Sequence, residues 1–266
     1  MIRYAVLGSG SSGNSYMMEF ADDAILFDVG FSYRQLELRS LQAGMDLASV
    51  RGVCITHLHP DHCRGAGVFA RKTGKPVFVH REVVGMQVPE LVRLGIPEDQ
   101  IEVFDPLVPF RMGPFSITAF PTSHDSPSSV GFHVGIGGRC FTLLTDTGRF
   151  DDTMHGFARS SDVLFLESNY DEPMLVNGPY PFLLKRRIRG ESGHLSNSDA
   201  LELLNGCTDG KPSRVYFCHL SKTNNRPDLI EALCEQALIW TGTRCICHHG
   251  EVYSGSIDPG SIHNEA

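Results

Sequence analysis

The stretch Thr56-His57-Leu58-His59-Pro60-Asp61-His62 puts three imidazoles and a carboxylate within six positions. It follows the apolar run Val53-Cys54-Ile55, so the spacing predicts a loop at the end of a buried strand. In a chain with 12 histidines in all, this is a concentrated nitrogen and oxygen donor set, suited to zinc and compatible with manganese, iron or nickel. One cation cannot easily take all four donors, because successive ligands on a tight loop point in different directions. Two adjacent divalent cations can.

Composition sets the limits around this motif. A chain of 266 residues that is 41% hydrophobic has ample core for one large domain or two small ones. No apolar run reaches the roughly 18 residues of a membrane span, and Ile2 to Leu7 reads as a strand with no leader before it. A cytoplasmic protein with no membrane association is therefore expected. The eight cysteines are scattered through apolar segments without a Cys-x-x-Cys pair, which favours reduced thiols. Cys63, beside the motif, reads as a packing residue before a ligand. A formal charge of −8 argues against coating nucleic acid by bulk electrostatics but allows a local basic groove.

Along the chain, Gly8 to Ser15 follows the first strand and lacks the Gly-Lys-Ser/Thr ending of a phosphate loop. A tight hairpin is expected there, with backbone contact to a substrate as the alternative. Ala24 to Gly30 reads as a strand ending in Asp28-Val29-Gly30, Ser32 caps a helix that stops at Gly44, Gly65 to Lys72 is a helix, Pro76 to His80 a strand, and 81–95 one helix. Phe115 to Phe120 alternates as a half-buried strand and delivers His124 and Asp125; Asp125 is left between orienting an imidazole and capping a turn. A hairpin across Gly137-Gly138 feeds Asp146, and Ser161 to Glu167 is another strand. Helices start at Ser196 or Asn197 and at Pro227, and the strand Ser213 to Cys218 delivers His219. His80, His133, His155, His248 and His249 lack ligand context and read as structural. Lys185, Arg186, Arg187 and Arg189 put four cations into five positions of an acidic protein, just before His194. The alternatives are a solvated helix face and a phosphate-facing patch; the second is favoured, with Lys222 and Arg226 extending it.

His-x-His-x-Asp-His after a strand resembles the signature of the metallo-β-lactamase superfamily. The resemblance is nearest to its YycJ/WalJ family of nuclease-like metallo-hydrolases, through Gly10 to Ser15, Asp146-Thr147-Gly148, Glu167-Ser168-Asn169-Tyr170, Gly178-Pro179-Tyr180-Pro181 and the Ser-Lys-Thr-Asn-Asn tail after Leu220. It implies an α/β fold, the four-layer αββα sandwich, as a single domain over 1–266. By that resemblance His57, His59 and His124 hold one metal, Asp61, His62 and His219 the other, Asp146 bridges them, and Asp28 supports the metal loop by hydrogen bonding, a simple turn Asp being the alternative.

The chemistry so implied is hydrolysis by a hydroxide bridging two cations, zinc or manganese before iron or nickel, with Asp61 and His194 as catalytic residues. A DNA exonuclease is the leading expectation, ahead of an RNA substrate. The alternatives are a small-nucleotide phosphodiesterase, a thioesterase or lactonase of the glyoxalase II type, and, ranked last, a non-catalytic metal-binding module. The Asp146 to His194 interval is too short for the inserted domain of the β-CASP nucleases, so substrate must be gripped by core loops or by a partner copy in a homo-oligomer.

Overall fold

The computed structural model describes residues 1–207 and 211–260. Two seven-stranded sheets pack face to face. The first contains β1 (Ile2–Gly8), β2 (Ser15–Phe20), β3 (Asp23–Phe27), β4 (Val50–Cys54), β5 (Val77–His80) and β6 (Ile101–Phe104). The second contains β7 (Phe110–Met112), β8 (Phe115–Pro121), β9 (Val130–Ile136), β10 (Arg139–Leu144), β11 (Val163–Glu167), β12 (Arg214–Cys218) and β13 (Thr243–Ile246), and β14 (Tyr253–Ile257) returns to pair with β1. The orders are β14-β1-β2-β3-β4-β5-β6 and β13-β12-β11-β10-β9-β8-β7.

Period-two patterning builds the sandwich. In β1, Ile2, Tyr4 and Val6 enter the core between the sheets while Ala5 and Leu7 face the helical layer. In β11, buried along its whole length, Val163 and Phe165 face inward and Leu164 and Leu166 face the other helical layer. Three apolar clusters, one between the sheets and one beneath each set of helices, make the four layers of the expected αββα sandwich.

The helices are α1 (Tyr33–Gln42), α2 (Pro60–Cys63), α3 (Ala66–Thr73), α4 (Arg81–Met86), α5 (Val88–Leu94), α6 (Asp152–Ser160), α7 (Glu172–Asn177), α8 (Phe182–Arg189), α9 (Asn197–Asn205) and α10 (Pro227–Ala237). Ser32 caps α1 and Ser196 closes a capping box on α9, as their side chains suggest. The single helix expected over 81–95 is two. Gln87 leaves helical geometry between them, because Pro89 has no N–H to give and belongs in a first turn. All eight cysteines are free, and Cys63 is buried with its thiol on the His59 carbonyl at 3.3 Å. Among the described residues no helix is long and apolar enough to cross a membrane.

Topology positions the site. β3 to β6 run parallel to one another, as do β10 to β13. The carboxyl ends of β3, β4, β10, β11 and β12 therefore carry Asp28, the histidine loop, Asp146, Glu167 and His219 toward one edge of the sandwich.

Phe165, fully buried, sits among Tyr4, Tyr16 and Tyr216 at ring-centroid distances of 6.0, 5.5 and 5.4 Å. Truncation to Ala is expected to remove about 3–5 kcal/mol of stability. Denaturant unfolding followed by the fluorescence of Trp240, the sole tryptophan, reads this directly; a loss under about 1 kcal/mol would mean the inter-sheet core closes over the gap.

Candidate metal centre

The loop after β4 is shaped from below by Asp28. Its fully buried carboxylate accepts the Thr56 N–H at 2.8 Å, the Thr56 hydroxyl at 2.9 Å and His62 Nδ1 at 2.7 Å. Gly30, two residues on, lies so close to the loop that a Cβ there would stand 1.8 Å from the Asp61 carbonyl oxygen. The one-turn helix α2, opened by Pro60, then carries Asp61 and His62 away from His57 and His59. One contiguous motif thus serves two neighbouring groups.

In the first group His59 Nδ1 lies 3.0 Å from His57 Nε2 and 3.3 Å from His124 Nε2. In the second, His62 Nε2 and His219 Nε2 lie 3.7 and 3.8 Å from Asp61 Oδ2. Asp146 stands between, with Oδ2 3.2 Å from His62 Nε2 and Oδ1 3.7 Å from His124 Nε2. All seven residues that the sequence singles out as ligands therefore come together, with ligand atoms of each group within 4.8 Å of one another.

Three residues bearing on the centre carry no assigned role in the sequence reading. Glu167, fully buried at the end of β11, meets His219 Nδ1 at 2.8 Å and His194 Nδ1 at 2.7 Å. Its signal was a carboxylate at a strand end, the same position that marks Asp28 and Asp146. Asn14, in the Gly-Ser hairpin, brings its amide nitrogen to 3.0 Å from His62 Nε2, so this loop serves the centre with a side chain. Asp125 lies 3.7 Å from His59 Nε2 and 3.6 Å from His124 Nε2 and is ion-paired to Arg187, so it sets a carboxylate beside the first group.

Among the buried polar atoms without a hydrogen-bond partner within the protein, Asp146 Oδ2 and His219 Nε2 lie at the centre. Leaving such atoms unpaired costs about 1–3 kcal/mol each, and a divalent cation satisfies both. The electrostatics agree. Burial first, and then the neighbouring imidazoles of His62 and His124, hold His57 well below the ordinary histidine range, which keeps its lone pair free. Burial opposes the charged form of His62 as well, but the carboxylates of Asp146, Asp28 and Asp61 outweigh it and push the ring up to about 9. His219 is raised in the same way despite burial, by Asp146, Asp61 and Glu167. Protons on these two rings balance the clustered carboxylates, and cations take their place. The residues fit a divalent-metal centre.

The basic run is divided in space. Arg187 turns to Asp125 at the metal edge, whereas Lys185, Arg186 and Arg189 line a separate groove against α7. Lys222 reaches the Ser12 hydroxyl on the other side of the centre, and Arg226 pairs with Asp228 at 3.0 Å. His194 stands beside the ligands, with its Nδ1 3.7 Å from Asp146 Oδ1. His80 caps α4 through the Glu82 N–H, His133 bonds Thr142, and both lie outside the ligand groups.

A family model of the beta-lactamase superfamily domain matches residues 23–220, a span that holds every candidate ligand named above. The chain belongs to the metallo-β-lactamase superfamily. Within that superfamily it is 32% identical over 237 residues to the exodeoxyribonuclease YycJ of Bacillus anthracis, covering 89% of each chain. It is also 32% identical over 228 residues to the exodeoxyribonuclease WalJ of Streptococcus pneumoniae, covering 85% of this chain and 84% of that one. In structure it resembles the metallo-β-lactamase fold protein YhfI of Bacillus subtilis, with a TM-score of 0.72 at 19% identity over 96% of this chain and 99% of that one. The sequence and fold comparisons agree with the YycJ/WalJ-like reading and with the αββα sandwich.

Because Asp28 orients His62 and the loop backbone, Asp28→Asn is expected to weaken divalent-metal affinity about 10- to 100-fold. Competition against a chromogenic chelator measures this. Unchanged affinity would reduce Asp28 to a turn residue.

Proposed function

We propose that the chain is a two-metal phosphodiesterase acting as a nuclease, with DNA favoured over RNA. The pairing of His194 with Glu167 at the rim of the ligand cluster carries this reading. Both curated relatives bear the name exodeoxyribonuclease, and each is matched over more than four fifths of its length.

His57, His59 and His124 would hold one cation and Asp61, His62 and His219 the other, with Asp146 shared. Zinc or manganese suits these donors best, with iron and nickel compatible. Bound there, divalent cations supply Lewis acidity toward a phosphoryl oxygen and lower the pKa of water to near neutrality. The chain's own residues set direction. Asp61 has 24% of its side chain exposed against 3% for Asp146, so it is the donor carboxylate that meets solvent and orients the attacking water. Glu167 fixes His194 through Nδ1, which leaves Nε2 to deliver a proton to the departing oxygen. Although burial alone raises Glu167, His194 and His219 hold it well below the carboxylate range, so it stays charged for that task. Arg187, anchored on Asp125 through Nε, places its remaining N–H groups beside the first ligand group, where they can donate to phosphate oxygens.

A thioesterase or lactonase on this fold needs the same ligands but neither His194 nor the cations of α8. The two readings separate on a panel of single- and double-stranded DNA, RNA, a simple phosphodiester and a thioester with metal-loaded protein. His194→Ala is expected to lower kcat on DNA by about 10²- to 10⁴-fold. Metal content, read by mass spectrometry, should stay at the wild-type level. Thioester turnover indifferent to that substitution, without cleavage of any nucleic acid, overturns the proposal.

A further inference from the structure

The groove between α7 and α8 lies beside the metal centre, and the hydrolytic chemistry leaves it unused. It has a volume of ≈ 620 Å³ and is lined by Leu175, Val176, Phe182, Lys185, Arg186 and Arg189, ending at Gly190. On a helix, positions i, i+3, i+4 and i+7 share a face, so Phe182, Lys185, Arg186 and Arg189 form one stripe, an aromatic ring leading three cations. Phe182 and its neighbour Leu183 are each 74% exposed, and Val176 across the groove is 52% exposed. Lys185 donates to the Val176 carbonyl at 2.8 Å and Arg189 pairs with Glu172 at 2.8 Å. Arg186 has no ion pair among the described residues.

The groove runs toward the chemistry. The Gly193 N–H donates to Gly190 O at 2.8 Å and the His194 N–H to Ile188 O at 3.0 Å, so the last turn of α8 is bonded to the segment that carries His194. A Cβ at Gly193 would stand 2.1 Å from Ile188 O, which leaves this junction no slack. The cations of α8 are thus tied through backbone hydrogen bonds to the segment that carries His194. An exposed ring at the far end of such a track matches how single strands are held, with cations along the backbone and aromatic faces under the bases. A second copy docked through the same face would bring two cationic stripes together, which disfavours self-association there.

Resting on the nuclease reading above, we infer that this groove holds the single-stranded stretch next to the scissile phosphate, with an unpaired base stacked on Phe182 and phosphates on Lys185, Arg186 and Arg189. The flat ring, and not apolar area as such, is then the specific requirement.

Binding of a labelled, phosphorothioate-linked single-stranded oligonucleotide to metal-loaded protein, followed by fluorescence anisotropy, tests this. Phe182→Ala is expected to weaken binding about tenfold, Phe182→Leu to behave like Ala, and Phe182→Trp to bind as well as wild type. Arg186→Ala should weaken binding and make it less salt-dependent, whereas Val92→Ala, at an exposed site on α5, should change nothing. Wild-type affinity in Phe182→Ala, or full affinity in Phe182→Leu, overturns the stacking site. So does light scattering that finds a dimer which Phe182→Ala dissociates, because the face would then join copies of the chain. Oligonucleotide binding with the expected order of variants but no hydrolysis of any phosphodiester would leave the groove assignment standing and remove only the nuclease reading. Hydrolysis with indifferent Phe182 variants would do the reverse.

Discussion

A carboxylate with no exposure to water, Asp28, is the point from which the centre is built. Burying such a charge is costly unless it is paired and hydrogen-bonded. Burial indeed raises the Asp28 carboxyl, with His62 and the Thr56 groups opposing that shift. The same bonds that compensate the charge fix where His57 leaves β4 and how His62 is turned, because Thr56 also lies 3.0 Å from His57 Nδ1. Stability and ligand geometry thus draw on one set of contacts.

The backbone around the centre shows a related economy. Asp28, Asp146 and His219 adopt left-handed conformations, with φ of 60°, 58° and 55°, each directly after or one residue past a strand. Non-glycine residues rarely sit there, and such strain collects at functional sites. Each of these turns ends a strand abruptly and brings its side chain back toward the shared edge. The two sheets, packed by apolar residues, hold those strand ends in register and so maintain the strain.

Much of this was legible in the chain because it rests on local signals. Apolar runs ending in His, Asp or Glu mark where parallel strands stop, and Ser32 and Ser196 announce their helices. What escaped depends on partners far away in sequence. Glu167 gains its meaning only from His194 and His219, 27 and 52 residues later, and Asn14 only from His62. Pro89, by contrast, was a local signal against a single helix over 81–95. The edge strands β6, β7 and β14 were silent because an edge strand buries one face and pairs on one side, so β14, Tyr-Ser-Gly-Ser-Ile, carries little apolar pattern. In the basic run, residue types were readable but their division was not. Only the helical turn shows that Arg187 faces the metal edge while its neighbours line the groove.

The candidate ligand histidines are held in place by their neighbours. Each ring has its outward nitrogen near a partner: His57 with Thr56, His59 with Asp125, His62 with Asp28, His124 with the Gly193 carbonyl at 2.9 Å, and His219 with Glu167. Facing the centre are Nδ1 of His59 and Nε2 of the others, with the Nε2 of His62 also 3.0 Å from the Asn14 amide nitrogen. These outer partners hold the ring orientations, so a cation that displaces the protons of His62 and His219 meets nitrogens already aimed at it and little side-chain entropy is lost on binding. The cost moves into folding, where buried carboxylates must be matched to buried rings across two sheets. That is why the two carboxylate partners of buried rings, Asp28 and Glu167, sit at strand ends of the rigid sandwich.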